Sequence, residues 1–300
     1  MKKLKTTILA YLFLLPALIL LLVFTLYPML KSVQLSFYKY NMIKTTTQGK
    51  IAPPEFRGGK NFAYLAKDPL LKKSLYNSLL YLLIVPFIQI LAILIAILVN
   101  RQTWGINFFR VAYYVPVITS IVVVGIAWRW LFAGDGLLNF LLVKKFALFS
   151  SGIGWLTDPR IALFSVMFVT LWQGLGYYMV LYLAGLQSIN SETLDAAKVD
   201  GSNSFQLFWS VLLPLLKPTV ALCAIISSIA ALKVFGEIYV MTTGGPESST
   251  TTLAYYIFIK AFQEFDMGYA SALALFLAVI VGIISFLNLH FFKRGGIEYY

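Results

Sequence analysis

The sequence predicts an all-α membrane protein that crosses the bilayer six times. Hydrophobic residues make up 60% of its 300 residues and charged residues 12%, and the mean hydropathy is +0.81. Water-soluble globular chains carry about 25% charged residues. Several stretches of roughly 20 apolar residues have the length that an α-helix needs to cross a hydrocarbon core of about 30 Å. Because backbone polar groups must be satisfied within lipid, we expect these stretches to be helices.

Six apolar segments qualify as spans, and the fifth is unusual because Lys233 and Glu237 lie within it. The first segment follows Lys2, Lys3 and Lys5, as a secretory signal would. Its apolar run is longer than that of a signal peptide and no small-x-small cleavage site ends it, so we expect a retained helix. We expect a single domain over residues 1–300, with helices at about 7–30, 75–99, 111–131, 161–185, 215–240 and 269–292.

The placement of charges weakly favours an orientation in which both termini lie in the cytoplasm. Lys and Arg favour the cytoplasmic side when they lie in short loops near the ends of spans. Lysines precede the first span, and the short connection of residues 100–110 is basic. The first outer loop, however, contains as many basic residues as all inner segments together. Charge alone therefore does not decide between the two orientations, and the expected N-in, C-in arrangement depends on the polar insert described next.

The composition also argues against several kinds of function. The net charge is +12, but the cations are scattered between apolar spans, where anionic lipid headgroups can meet them, so we expect no nucleic-acid partner. The one cysteine, Cys223, and the one histidine, His290, have no partners for a disulfide, a metal site or a catalytic triad. Gly59-Lys60 lacks the glycine and the hydroxyl of a phosphate-binding loop. We expect neither a catalytic nor a metal site in this chain.

A polar insert of about residues 190–214 separates the fourth and fifth spans. Asn190 or Ser191 can cap a short helix, Glu192 lies in its first turn, and Gly201 can end it in a left-handed conformation. A second short helix is expected from about residue 204 to Pro214. Such an insert suits a groove on another protein. It is equally compatible with an ordinary amphipathic connector at the membrane surface.

The insert resembles the EAA signature of the permease subunits of binding-protein-dependent ABC importers. Asp195-Ala196-Ala197, Gly201 and Leu213-Pro214 match that signature in spacing, with Asp and Val211 in place of the usual Glu and Ile. Further segments resemble the sugar-uptake branch of the family, the maltose-type and glycerol-phosphate-type permeases. These are Tyr27-Pro28, Gly59 to Phe62, Tyr114 to Pro116, Trp128 to Phe132 and Thr243 to Pro246.

This resemblance implies a type I importer permease fold in the cell membrane. The implied partners are a second, similar permease that completes a heterodimer, two cytoplasmic ATPase subunits and an extracytoplasmic solute-binding protein. The ATPases would bind ATP and Mg²⁺, so this chain would hold no cofactor and would not be an enzyme. The insert would be the coupling helix seated in the ATPase. The residues implied in that contact are Glu192, Leu194, Asp195, Ala196, Ala197, Asp200, Gly201 and Pro214.

Polar residues in the fourth and fifth spans are candidates for the substrate pathway, because polar side chains within a membrane are costly unless they line a cavity or pair. The alternative is a packed helix interface that uses a small residue. In the maltose-type permease the positions of Gly174, Tyr177 and Ser227 contact sugar, whereas Ala231 replaces an amide-bearing residue. The candidates are Gln173, Gly174, Tyr177, Tyr178, Ser227, Ala231, Lys233 and Glu237.

The spacing of Lys233 and Glu237 is i, i+4, so these opposite charges can meet on one helical face. They could form a structural or gating pair or contact the substrate directly. The Gly- and Thr-rich segment of residues 242–252 predicts a flexible outer loop, in which the resemblance places Gly244, Gly245 and Pro246 toward the solute-binding protein.

The expected function is ATP-driven import of a carbohydrate, with a di- or oligosaccharide as the first choice and glycerol-phosphate or another polar solute as the second. The alternative from another class is a stand-alone carrier driven by an ion gradient, which would use the intramembrane Lys233 and Glu237. Neither the length nor the identity of a sugar can be read from this chain, since specificity in such importers lies largely with the binding protein.

Overall fold

The computed structural model describes residues 2–43, 52–101 and 103–294, most of which are helical. Five helical segments are long and apolar enough to cross a membrane, and a bent pair of helices makes six if it counts as one span. This agrees with the predicted all-α, multi-span class. The five segments are Tyr11–Leu35, Pro69–Val99, Ala162–Gln187, Lys217–Met241 and Met267–Phe292.

The structure divides the chain into two compact units. One comprises Met1–Asp68 and Ile257–Val279, and the other comprises Pro69–Tyr256 and Ile280–Tyr300. The first unit contains two short strands, three helices, two π-helical stretches and the beginning of the last long helix. In chain order these are α1 (Lys2–Leu21), a π-helical stretch (Leu22–Leu26), α2 (Tyr27–Leu35), β1 (Tyr38–Lys39), β2 (Glu55–Phe56), α3 (Lys60–Lys67), a second π-helical stretch (Ile259–Gln263) and α16 (Met267–Arg294).

The described part of the loop after the first span is ordered by its own hydrogen bonds. β1 and β2 pair antiparallel with Tyr38 opposite Phe56, and the two rings lie 5.3 Å apart. The buried amide of Asn61 donates to the carbonyls of Ser36 (2.8 Å) and Tyr38 (2.9 Å). By contrast, none of the most apolar part of the first span is buried within the described chain. Lipid or another subunit therefore has to cover that helix.

The second unit contains most of the membrane-spanning helices. The first four are α4 (Pro69–Tyr81), α5 (Ile84–Val99), α6 (Ile106–Ile118) and α7 (Ile121–Leu131). The next are α8 (Leu137–Asn139), continued by a π-helical stretch (Phe140–Lys145), α9 (Ala162–Gln187) and α10 (Ser191–Val199). The last are α11 (Ser204–Gln206), a π-helical stretch (Leu207–Leu212), α12 (Leu213–Leu215), α13 (Lys217–Leu232), α14 (Gly236–Met241) and α15 (Leu253–Phe258).

The core of the second unit forms where α5, α9 and α13 pack together. Ala92, Met179 and Cys223 are fully buried there, so the lone cysteine is a packing residue as expected. A polar cluster lies within this core. The amide of Gln89 donates to Ser227 Oγ (2.8 Å) and to the Cys223 carbonyl (3.2 Å), and Tyr182 Oη donates to Gln89 Oε1 (2.5 Å).

Replacing Gln89 with Leu should destabilise the protein by about 1–3 kcal/mol, because Tyr182 and Ser227 would be left buried with a lost partner. The measurement is thermal unfolding of the detergent-purified protein. Tyr182→Phe provides the matched second substitution: once the tyrosine hydroxyl is absent, Gln89→Leu should cost less than it does alone. Strictly additive effects of the two substitutions would contradict a shared hydrogen-bonded cluster.

The third predicted span is not one straight helix. The sequence predicts a helix over residues 111–131, but α6 and α7 meet at an angle of 98°. Pro116 lies in the last turn of α6, and Thr119 and Ser120 adopt extended backbone conformations, with ψ of 136° and 133°. A long-range contact accommodates the bend, because Gln173 Nε2 of α9 donates to the carbonyl of Thr119 (3.1 Å).

Candidate functional site

The eight residues predicted for the substrate pathway all line one cavity of about 570 Å³ in the second unit, here called the path cavity. Gln173, Gly174, Tyr177 and Tyr178 reach it from α9. Ser227 and Ala231 line it from α13, and Glu237 lines it from the beginning of α14. The size is within the range of pockets that hold small ligands. Residues that are separated along the chain by more than 50 positions are thus brought to one place.

Two interrupted helices border the path cavity. Val117 and Ile121 line it from either side of the bend between α6 and α7. Lys233 to Gly236 line it where α13 ends and α14 begins. Irregular backbone at membrane depth is tolerated where it is covered by protein or borders a water-filled cavity. The carbonyl of Val234 in the second break is satisfied by Thr252 Oγ1 (2.9 Å).

Lys233 and Glu237 do not form the ion pair that their spacing predicts. Helix α13 ends at Leu232, Lys233 has left the helical conformation, and α14 begins at Gly236. The i, i+4 rule applies within one continuous helix, so the interruption removes the geometry on which the prediction depended. Among the described residues, ion pairs join Lys198 to Asp195 and Lys260 to Glu264.

Glu237 instead takes part in a hydroxyl chain that the sequence did not reveal. Thr170 Oγ1 lies 3.4 Å from Glu237 Oε1 and 2.6 Å from Tyr81 Oη. Thr170 lines the path cavity, and Tyr81 is fully buried. The signal available in the sequence was a threonine one turn before Gln173 on the same helix. Gln89 was missed in the same way, although a glutamine within the apolar second span indicates a cavity or a partner.

The candidate residues differ in how much of their surface is free. Tyr177 is 38% exposed, whereas Tyr178 is 6% and Ser227 is 4% exposed. The two tyrosine rings meet edge to face at 5.2 Å. Ser227 Oγ donates within its own helix to the Cys223 carbonyl (2.7 Å). Tyr177 is therefore better placed than Tyr178 or Ser227 to meet a solute.

The polar insert forms the two short helices that the sequence predicts. Asn190 Oδ1 accepts from the backbone N–H of Glu192 (3.0 Å) and caps α10. At the other end Gly201 has φ +86°, and its N–H bonds to the Lys198 carbonyl (3.0 Å) while that of Ser202 bonds to the Ala197 carbonyl (3.1 Å). This pair of bonds is the Schellman motif, which favours glycine at that position.

Most of the insert lies on the surface of the described chain. Glu192, Asp195, Ala196, Asp200 and Gly201 are exposed, whereas Leu194 and Ala197 are half-buried. Three large apolar side chains are also uncovered: Val199 (87% exposed), Phe205 (71%) and Trp209 (53%). An acidic and apolar surface of this kind indicates a protein or membrane contact. Pro214 is the second residue of the short helix α12.

The segment of residues 242–252 differs from the predicted flexible loop. Thr250, Thr251 and Thr252 are buried. The hydroxyls of Thr250 and Thr251 donate to the carbonyls of Gly245 (2.8 Å) and Gly244 (3.1 Å), so they are used within the segment instead of being solvated. Gly244 is buried, and Gly245 and Pro246 are half-buried and line a second cavity together with Arg129.

Comparison with known proteins identifies the family. The model of the family described as "Binding-protein-dependent transport system inner membrane component" matches residues 73–294, which is more than half of the chain. The chain belongs to this family. It is therefore a multi-pass membrane permease that works with a binding protein, and not an enzyme. Membership in this family decides against a stand-alone carrier driven by an ion gradient.

Relatives of this permease cover almost its whole length. The lactose transport system permease protein LacF of Rhizobium radiobacter is 33% identical over 93% of this chain and 92% of its own. The multiple sugar-binding transport system permease protein MsmF of Streptococcus mutans is 35% identical over 94% of both. A bacterial ABC transporter that imports the acidic polysaccharide alginate matches with a TM-score of 0.82, 25% identity and 98% coverage of both chains. The type I importer permease fold expected from the sequence is thus confirmed.

Proposed function

We propose that this permease forms one side of the membrane pathway for a carbohydrate, with a di- or oligosaccharide as the preferred substrate. The observation that carries the proposal is the convergence of all eight pathway candidates on one cavity bordered by two helix breaks. Aromatic faces stack on the apolar faces of sugar rings, and amide and hydroxyl groups bond to sugar hydroxyls. The relatives named for lactose and for multiple sugars support the same substrate class.

The remaining parts of the transporter are proposed from the polar insert. The surface of α10 and α11 fits a cytoplasmic ATPase subunit, because it presents carboxylates and uncovered apolar side chains at the end of a well-capped helix. Both termini then lie in the cytoplasm. A second, similar permease completes the pathway, and two ATPase subunits bind ATP and Mg²⁺. Gly244, Gly245 and Pro246 face the solute-binding protein on the opposite side of the membrane.

Replacing Tyr177 with Ala tests the path cavity. We expect the KM for uptake of the transported sugar to rise about tenfold, equivalent to about 1.4 kcal/mol, because a stacking face is removed. The measurement is uptake of radiolabelled sugar, together with the affinity of the purified binding protein for that sugar, which should not change. Val180→Ala is the matched control, since Val180 is 41% exposed on the same helix and does not line the cavity. Normal kinetics of the Tyr177 variant would remove this cavity from the pathway.

A further inference from the structure

A third cavity in the same unit, here called the aromatic cavity, shares no lining residue with the path cavity. Its volume is about 570 Å³. It lies between the end of α7, the segment of residues 138–161 and the beginning of α9. Six aromatic side chains line it: Trp128, Phe132, Phe149, Trp155, Phe164 and Phe168.

The lining of the aromatic cavity offers few free hydrogen-bonding groups to a polar ligand. Ser165 Oγ donates to the Ile161 carbonyl (3.3 Å), and Trp155 Nε1 donates to Asn139 Oδ1 (3.2 Å). These groups already have acceptors within the chain. A carbohydrate would lose its hydration here with few replacement hydrogen bonds, which is costly. The cavity therefore suits hydrocarbon.

The cavity opens on a surface that lipid can reach. Phe149, Phe164 and Phe168 are 50%, 49% and 51% exposed, and the last two lie in the first turns of the apolar span Ala162–Gln187. Aromatic side chains collect at the depth where acyl chains meet headgroups. An acyl chain entering from that depth would replace the exposed half of each ring surface with a hydrocarbon contact.

Basic side chains lie beside the cavity along the chain. Lys144 and Lys145 are exposed at the end of the π-helical stretch Phe140–Lys145. This stretch lies in the chain between Leu138 and Phe149, both of which line the cavity. Arg160 is exposed and directly precedes a lining residue. Among the described residues, none of these three cations lies within ion-pair distance of a carboxylate.

The same segment also carries two acidic residues. Asp135 is exposed, and Asp158 Oδ1 accepts the backbone N–H of Arg160 (2.8 Å). The net charge of residues 132–161 is nevertheless positive, because this segment has three basic side chains and two acidic ones. Basic residues at a membrane surface attract anionic headgroups.

We propose that the aromatic cavity binds one acyl chain of an anionic phospholipid, whose phosphate lies against Lys144, Lys145 and Arg160. The bound lipid would fill the space between the end of α7 and the beginning of α9. This site is independent of the sugar pathway and of the ATPase contact.

Fluorescence quenching by brominated lipid tests the proposal, because Trp155 lies in the cavity wall. The full-length chain has six tryptophans, and a reporter keeps Trp155 while the other five become Phe. The purified reporter is titrated in mixed micelles with phosphatidylglycerol or phosphatidylcholine that carries dibrominated acyl chains. We expect saturable quenching, with half-saturation at a roughly tenfold lower concentration for phosphatidylglycerol. A matched reporter that keeps Trp104, which is fully exposed, should show quenching proportional to the lipid fraction.

Two variants of the Trp155 reporter separate the acyl and headgroup contacts. Ser165→Phe fills the cavity and should abolish saturation. Lys144→Gln with Lys145→Gln changes exposed side chains and should remove the preference for phosphatidylglycerol while the maximal quenching stays. Proportional quenching of Trp155, equal affinity for the two lipids in the unaltered site, or loss of quenching when the partner permease is added would each overturn the proposal.

Discussion

Gly201→Trp is expected to abolish sugar uptake while the permease remains in the membrane. Apart from its two chain neighbours, no atom of the described residues lies within 4 Å of the position where a side chain at Gly201 would begin. An indole there therefore meets open space in the described part of this chain. If α10 is seated in an ATPase subunit, the same indole must collide with that subunit. We expect uptake to fall on the order of a hundredfold, as for the loss of an interface contact worth about 3 kcal/mol.

The effect of backbone strain at Gly201 has to be separated from the effect of a collision between the indole and the ATPase subunit. Gly201 has φ +86°, a conformation that costs other L-residues about 1–2 kcal/mol. Gly201→Asn is the matched control, since asparagine tolerates the left-handed region and adds little bulk. It should retain most uptake, whereas the tryptophan variant should lose both uptake and the stimulation of ATP hydrolysis by the loaded binding protein. Membrane levels measured by immunoblot should be equal for the two variants. Normal stimulation in the tryptophan variant would contradict the coupling role.

The local features of this insert could be predicted from the sequence because their causes are local. Asn190 caps a helix that begins one residue later. The N–H groups of Gly201 and Ser202 end that helix through bonds to carbonyls three and five positions earlier, respectively. Such interactions reach no farther than a few residues along the chain. The apolar spans were predictable for a related reason, since bilayer thickness sets their length.

The interruptions of the helices could not be predicted, because long-range contacts stabilise them. The carbonyls released by the two breaks are satisfied by Gln173, which is 54 positions from its acceptor, and by Thr252, which is 18 positions away. The polar composition of residues 242–252 was misleading for the same reason. Asn77, from another span, donates to the Thr251 carbonyl (2.9 Å) and helps to order a segment that composition alone predicts to be flexible.

The glycines of α9 show the same limit of sequence reasoning. The sequence points to Gly174 as the site of close approach, and a Cβ there would lie 3.1 Å from Ile88 Cδ1, the end of a flexible side chain. Gly176 is in fact the tighter position. A Cβ at Gly176 would lie 2.0 Å from the carbonyl oxygen of Tyr113 on α6. A backbone atom cannot move aside by changing a rotamer, so any side chain at Gly176 must push α6 and α9 apart.

Gly176→Ala should therefore destabilise the permease by about 1–3 kcal/mol, the usual cost of overpacking a close interface. Since α6 leads into the bend that Gln173 contacts, displacement of α6 should also weaken the Gln173 to Thr119 bond and alter the path cavity. The measurements are thermal unfolding in detergent and sugar uptake normalised to the amount of protein in the membrane. The unfolding temperature and the normalised uptake should both fall, and uptake should fall by more than the loss of stability alone explains.

Gly282→Ala is the matched control for that experiment. Gly282 also lies in an apolar span, α16. Apart from its chain neighbours and the nearby backbone of its own helix, no atom of the described residues lies within 4 Å of the position that its Cβ would occupy. Alanine is favoured over glycine within a helix by about 1 kcal/mol in water, so this variant should be neutral or slightly stabilised. The two Gly→Ala variants differ in whether the added methyl group meets a neighbouring helix. Comparing them therefore isolates the effect of the close approach of α6 to α9. If the two variants unfolded at the same temperature and transported equally, the close contact at Gly176 would not support the pathway.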